Sequence, residues 1–216
     1  MKRFAWISSA VIVVLIAVVA YAATVPPRGP RTLRAFDADR LADLEIGMWQ
    51  AYYAKERTRL FTLLVTMLHE QYHYSWATAA REGFHLARAA ATFGDARRNY
   101  EALVLPDLEQ AYVTAKDWLG AGFDPPALAR AELAWWVARR VPGKDSPEHV
   151  GALMAHAYGL LYEVPESTMT GAAVLRARAG KMRDLQAQAP DWPAIAQLLR
   201  ESYRDLHAAL ASASLN

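Results

Sequence analysis

The chain has 216 residues, 54% of them hydrophobic and 21% charged, and 24 Lys and Arg against 22 Asp and Glu leave a formal net charge of +2. That length suits one domain with a short appended segment, and the near balance of charge gives no electrostatic case for nucleic acid. There is no cysteine, which excludes disulfides, thiolate catalysis and thiolate-held zinc.

Residues 1–25 open with Lys2 and Arg3 and then stay uncharged from Phe4 to Val25. About 20 apolar residues cross a hydrocarbon core as a helix. The segment therefore reads as a transmembrane anchor or a signal peptide. Its length favours the anchor, whereas Ala20-Tyr21-Ala22 has small residues where a signal peptidase cleaves. Lys2 and Arg3 before the span and Arg28, Arg31 and Arg34 after it leave the positive-inside count near a tie. The short basic start and the Ala-Tyr-Ala site tip the orientation toward export. The expected location is a bacterial inner membrane with the C-terminal domain in the periplasm, or the periplasm itself if the leader is cleaved. Residues 26–35 carry three prolines and three arginines and read as a stiff, extended linker.

Residues 36–216 read as one all-α domain, a bundle of about six or seven helices. Asp37 is a candidate cap for a helix whose stripe runs Leu41, Leu44, Met48 and Tyr52 and continues as Leu60, Leu64, Leu68 and Tyr72. No proline falls between Asp37 and Gly83, so this stretch predicts one long helix or two broken near Lys55–Arg59. Asp95 is a candidate cap for the next segment, with Pro106 restarting it and Gly120 ending it. Asp124-Pro125 starts a helix that runs to Arg139 or Arg140, and Ser146-Pro147 starts its return, stopped by Pro165. Two further helices follow, from about Thr170 to Gln188 and from Asp191 into the tail. No alternating β-branched run or Asn-Gly hairpin suggests a strand. The Asp124–Tyr162 hairpin has the length of a helical-repeat unit without its residue pattern.

His69-Glu70-Gln71-Tyr72-His73 is the segment that raises chemistry. Two histidines four apart on a helix present both imidazoles to one face as zinc ligands, with Glu70 as general base for a metal-bound water. No third ligand follows at a known spacing; Glu82, His85, Glu101 and Glu109 are near only in sequence. Glu70-x-x-His73 also has the spacing of the iron ligands of ferritin-like bundles, with Glu45 on the apolar stripe and Glu101 or Glu109 on a third helix. The second half of that pattern fails, because Glu132 is followed three later by Trp135. The plain alternative is two histidines hydrogen-bonded to Glu70, Glu45 or a tyrosine.

Seven Trp and ten Tyr read as core filling with polar tips reaching water, or as a groove for an apolar ligand or a partner protein. Trp135-Trp136 beside Arg139-Arg140 has the composition of a membrane-interface patch. Glu132, among apolar neighbours, needs a cation, with Arg139 and Arg57 as candidates. Arg176, Arg178, Lys181 and Arg183 read as a solvated basic face. Taken together, these features predict a membrane-anchored, periplasm-facing binding or scaffold protein with no cofactor. A metal-dependent hydrolase using His69, Glu70 and His73 with zinc, or a di-iron protein, is the alternative.

Overall fold

A computed structural model describes residues 2–213, with side chains from residue 12 onward. Among the described residues there are nine α-helices and no strand: α1 (Lys2–Thr24), α2 (Ala38–Tyr53), α3 (Arg57–Tyr72), α4 (Trp76–Asp95), α5 (Tyr100–Leu119), α6 (Pro125–Ala138), α7 (Pro147–Tyr162), α8 (Glu166–Leu185) and α9 (Trp192–Ala213).

Local chemistry sets most boundaries. Asp37, Ser75, Asp124 and Ser146 each accept a backbone N–H from the first turn of the helix that follows, at Arg40, Thr78, Ala127 and His149. Asp191 does the same for Ala194. Such caps satisfy donors that have no partner inside the helix, each worth about 1 kcal/mol. Pro125 and Pro147 occupy first-turn positions where the missing N–H costs nothing. At the other end of α2, Lys55 adopts the left-handed conformation, Glu56 N–H donates to Ala51 O and Lys55 N–H to Tyr52 O, a Schellman stop. Pro106 lies inside α5 and does not restart it; Asn99, left-handed, precedes that helix.

Eight helices, α2 to α9, make the body, one or two more than the sequence pattern predicts. The stretch from Asp37 to Gly83 contains two breaks: the expected one at residues 54–56 and another at residues 73–75. Each helix from α2 onward packs on the next, and α9 returns to pack on α2. The body is thus a closed ring of helices, not an open repeat array. One core cluster runs through it, from Leu41, Leu68 and Tyr74 to Leu128, Met154, Met169, Leu206 and Leu210. Burying each of these large side chains contributes roughly 1.5–3 kcal/mol.

Residues 26–35 do not swing free. Gly29 lies against the His73 ring so closely that a Cβ there would fall 2.2 Å from it. Arg31 stacks over the Trp118 ring at 4.3 Å, and Arg34 Nη2 donates to Tyr162 O at 2.6 Å. Phe36 then anchors edge-on against Tyr72, Tyr203 and His207. The expected linker is a strap laid on the body. Upstream, α1 touches α4 and exposes Ile12 to Ile16, Val18, Val19 and Tyr21 by more than half. Among the described residues no helix is long and apolar enough to cross a membrane. The expected anchor over 1–25 falls partly on residues 1–11, whose side chains lie outside the described residues.

Candidate functional site

The histidine segment does not form a single helical face. His69 lies in the last turn of α3, whereas His73 is its left-handed cap, φ 56°. Ser75 caps α4 immediately afterwards, and Tyr74 between them is fully buried. Burial of Tyr74 and the capping of α4 offset the roughly 1–2 kcal/mol that a left-handed non-glycine residue costs. The three side chains then find different partners. His69 stacks on Trp76 with ring centroids 3.7 Å apart, and its Nδ1 lies 2.8 Å from Tyr74 O. A carbonyl can only accept, so this contact places a proton on Nδ1. The His73 ring lies on Gly29, with its Nδ1 buried and unpaired. Glu70 is exposed and accepts from Arg40 Nε and Nη2 at 3.0 and 2.8 Å. Glu45 bonds Arg176 instead of facing Glu70. Among the described residues no group of three or more His, Asp or Glu side chains is placed to hold a metal ion.

The densest chemistry lies inside the ring. The buried Glu45 carboxylate on α2 accepts from Arg176 Nε on α8 at 2.8 Å, and from Arg176 Nη2. It also accepts from Trp49 Nε1 at 3.0 Å and from Tyr203 Oη on α9 at 2.5 Å. Burial acts to lower the Arg176 pKa, but the Glu45 carboxylate overrides it and holds the guanidinium charged. The Arg176 guanidinium also lies 5.0 Å over the Trp135 ring. Glu132 is held by two indoles, Trp135 Nε1 at 3.0 Å and Trp136 Nε1 at 2.9 Å. Burial pushes its carboxyl up, and Arg176 opposes the shift. Neither Arg139 nor Arg57, the cations expected from sequence, pairs with Glu132: Arg139 bonds Asp184 and Arg57 bonds Asp95.

Tyrosines complete this interior. Burial pushes Tyr72, Tyr112, Tyr158 and Tyr203 upward, so these phenols stay neutral. Glu82 on α4 is the weakest-held member. Burial pushes its carboxyl up to about 8, with only the Tyr74 hydroxyl opposing. Its Oε2 has no hydrogen-bond partner. Each of α2 to α9 thus contributes a polar side chain to one interior. The solvated basic face expected on α8 is also revised. Arg176 is inside, Arg183 lies 3.2 Å over the Tyr53 ring, and Lys181 bonds Asp145. Trp135 and Trp136 point their N–H groups at Glu132 rather than at a membrane interface.

An open cavity of about 550 Å3 lies at one end of the ring. None of His69, Glu70 or His73 lines it. It forms where α2 and α4 end, where α3 and α5 begin, and beside Arg140 just past α6. Ala51, Leu60 and Ala91 give apolar wall, and Tyr52, Tyr53 and Tyr100 give aromatic wall. Its charged lining is Lys55, Arg57, Arg97 and Arg140 with one carboxylate, Asp95. Arg140 clasps α2, α4 and α5, the last through Nη1 to Tyr100 Oη at 3.4 Å. Nη1 donates to Phe93 O at 2.7 Å and Ala96 O at 3.1 Å, Nη2 donates to Tyr52 Oη at 3.3 Å, and the guanidinium stacks 3.7 Å over Phe93. Arg97 Nη1 likewise donates to the carbonyls of Gly94 and Ala96. Cations suit these positions because helix C-termini carry partial negative charge. Sequence reasoning missed the cavity. Its residues come from three stretches of the chain, 51–60, 91–100 and Arg140, and a local sign was the basic run Lys55–Arg59.

No protein-family model, no curated protein and no solved structure matches this chain.

Proposed function

We propose that the chain is a membrane-tethered helical binding protein whose body works on the periplasmic side of a bacterial inner membrane and holds a small ligand in the cavity beside Tyr52. The cavity carries this reading. It has the volume of a small-molecule site, with aromatic and apolar walls and a few convergent polar groups. In the interior network Glu45 already accepts bonds from three side chains and has little left to offer a substrate. The tether half of the proposal is supported by the uncharged run Phe4–Val25 and by the exposed apolar side chains of α1.

Each half has its own experiment. The chain contains no cysteine, so a single Ala211→Cys substitution on the exposed side of α9 reports location alone. Labelling by a membrane-impermeant maleimide in intact spheroplasts is the expected result; labelling only after lysis refutes export. For the cavity, saturation-transfer NMR with benzamide on the full chain in phosphatidylcholine nanodiscs should show transfer. Ala91→Trp, which fills the wall, should abolish it. Equal transfer in both proteins would move the ligand elsewhere.

A further inference from the structure

We infer that the cavity is an anion site: its ligand carries a phosphate or carboxylate group that seats between Lys55 and Arg57. This rests on the cavity being a binding site, as proposed above. Four cations face one carboxylate there, so this one opening holds more positive charge than the net +2 of the whole chain. Asp95 is shared. Arg57 Nη2 lies 2.7 Å from its Oδ2 and Lys55 Nζ 3.9 Å from its Oδ1. A single carboxylate cannot neutralise both.

The other two cations are held through Nη1 by carbonyls, which cancel no full charge. The hydroxyls add to the same bias. Tyr52 Oη accepts from Arg140 Nη2 and so keeps its own O–H to donate. Tyr100 Oη likewise accepts from Arg140 Nη1 at 3.4 Å, whereas the Tyr53 O–H is already given to Asp184 Oδ1 at 3.3 Å. The volume exceeds what a bare phosphate needs, and the tyrosine and alanine walls accommodate an organic remainder.

Isothermal titration of the full chain in phosphatidylcholine nanodiscs tests this with three probes. Phenyl phosphate is an aromatic anion, benzamide is neutral and of similar size, and inorganic phosphate is the anion alone. Phenyl phosphate should bind about tenfold more tightly than benzamide at low salt and lose that advantage as ionic strength rises. The double substitution Lys55→Gln/Arg57→Gln should bring phenyl phosphate down to the affinity that the same variant shows for benzamide. Tight inorganic phosphate binding also supports the inference. Equal affinities for phenyl phosphate and benzamide overturn it and leave the binding reading intact. No heat from any probe, together with no transfer in the NMR experiment, removes both. Repeating the titration in phosphatidylglycerol nanodiscs separates the sources. Loss of phenyl phosphate binding there assigns the seat to a lipid headgroup, and retention assigns it to a soluble anion.

Discussion

The ring holds two concentrations of charge, and they are built on opposite rules. At its centre Glu45 meets Arg176, and indole and phenol donors complete the carboxylate. At its end Lys55 and Arg57 share Asp95, with Arg97 and Arg140 beside them on the wall of an open cavity. A buried charge must be matched nearly one for one, because leaving water costs several kcal/mol per ion. A charge at an open cavity is under no such demand. The centre is therefore a device for holding eight helices in one arrangement, and the end is where charge remains to be used.

Breaking the centre should have the largest effect. Arg176→Met leaves Glu45 buried without its cation and should cost about 3–5 kcal/mol in denaturant unfolding. Adding Glu45→Leu should restore much of that loss. A double variant as unstable as the single one would mean the pair itself, not the stranded carboxylate, supplies the stability.

Glu82 sharpens the comparison, since it sits inside without a cation. Its folded pKa of about 8 lies above the ordinary value of 4.5. A raised carboxyl pKa means the folded state binds the proton more tightly than the unfolded chain does. Stability from this group is full below about pH 4.5, declines as pH rises toward 8 and is flat beyond. The decline should amount to a few kcal/mol. Glu82→Gln should remove that slope in melting curves taken between about pH 5 and 8, while an unchanged slope would assign the titration to another group. Next in size, Glu132→Leu strands the indole N–H groups of Trp135 and Trp136 and should cost about 1–3 kcal/mol. An effect near zero would show the carboxylate to be solvated.

The cavity should behave in the reverse way. Asp95 is half exposed, so Asp95→Asn should change stability by less than about 1 kcal/mol. The same substitution should tighten phenyl phosphate binding severalfold by releasing Lys55 and Arg57. Unchanged affinity in the titration would show that Asp95 does not compete with the ligand.

Much of the fold was legible because helix ends carry local chemistry. Asp37, Asp124-Pro125, Ser146-Pro147 and Asp191 announce their helices in the sequence, and the stripe from Leu41 to Tyr72 is buried almost throughout. The break at His73 was not legible. Helical periodicity runs straight through it, and what stops α3 is the burial of Tyr74, the cap at Ser75 and the ring seated on Gly29, more than forty residues upstream. Glu45 showed itself by lying on an apolar stripe. Arg176 did not, because Arg178, Lys181 and Arg183 around it make the whole run look wet. The cavity was hidden for a simpler reason: its cations, spread over residues 55–140, form a cluster only once α2 to α6 have packed together.

That closure fixes the order in which the molecule becomes whole. α2 leaves the ribosome first among the body helices, yet its outer neighbour is α9, the last. Until α8 and α9 emerge, Glu45 has neither Arg176 nor Tyr203, and only Trp49 on its own helix is at hand. A nascent chain stalled before Arg176 therefore carries an unpaired carboxylate on an uncovered apolar face, a ready substrate for chaperones and proteases. The part of α8 from Arg176 onward, together with α9, acts as the latch that ends that exposure.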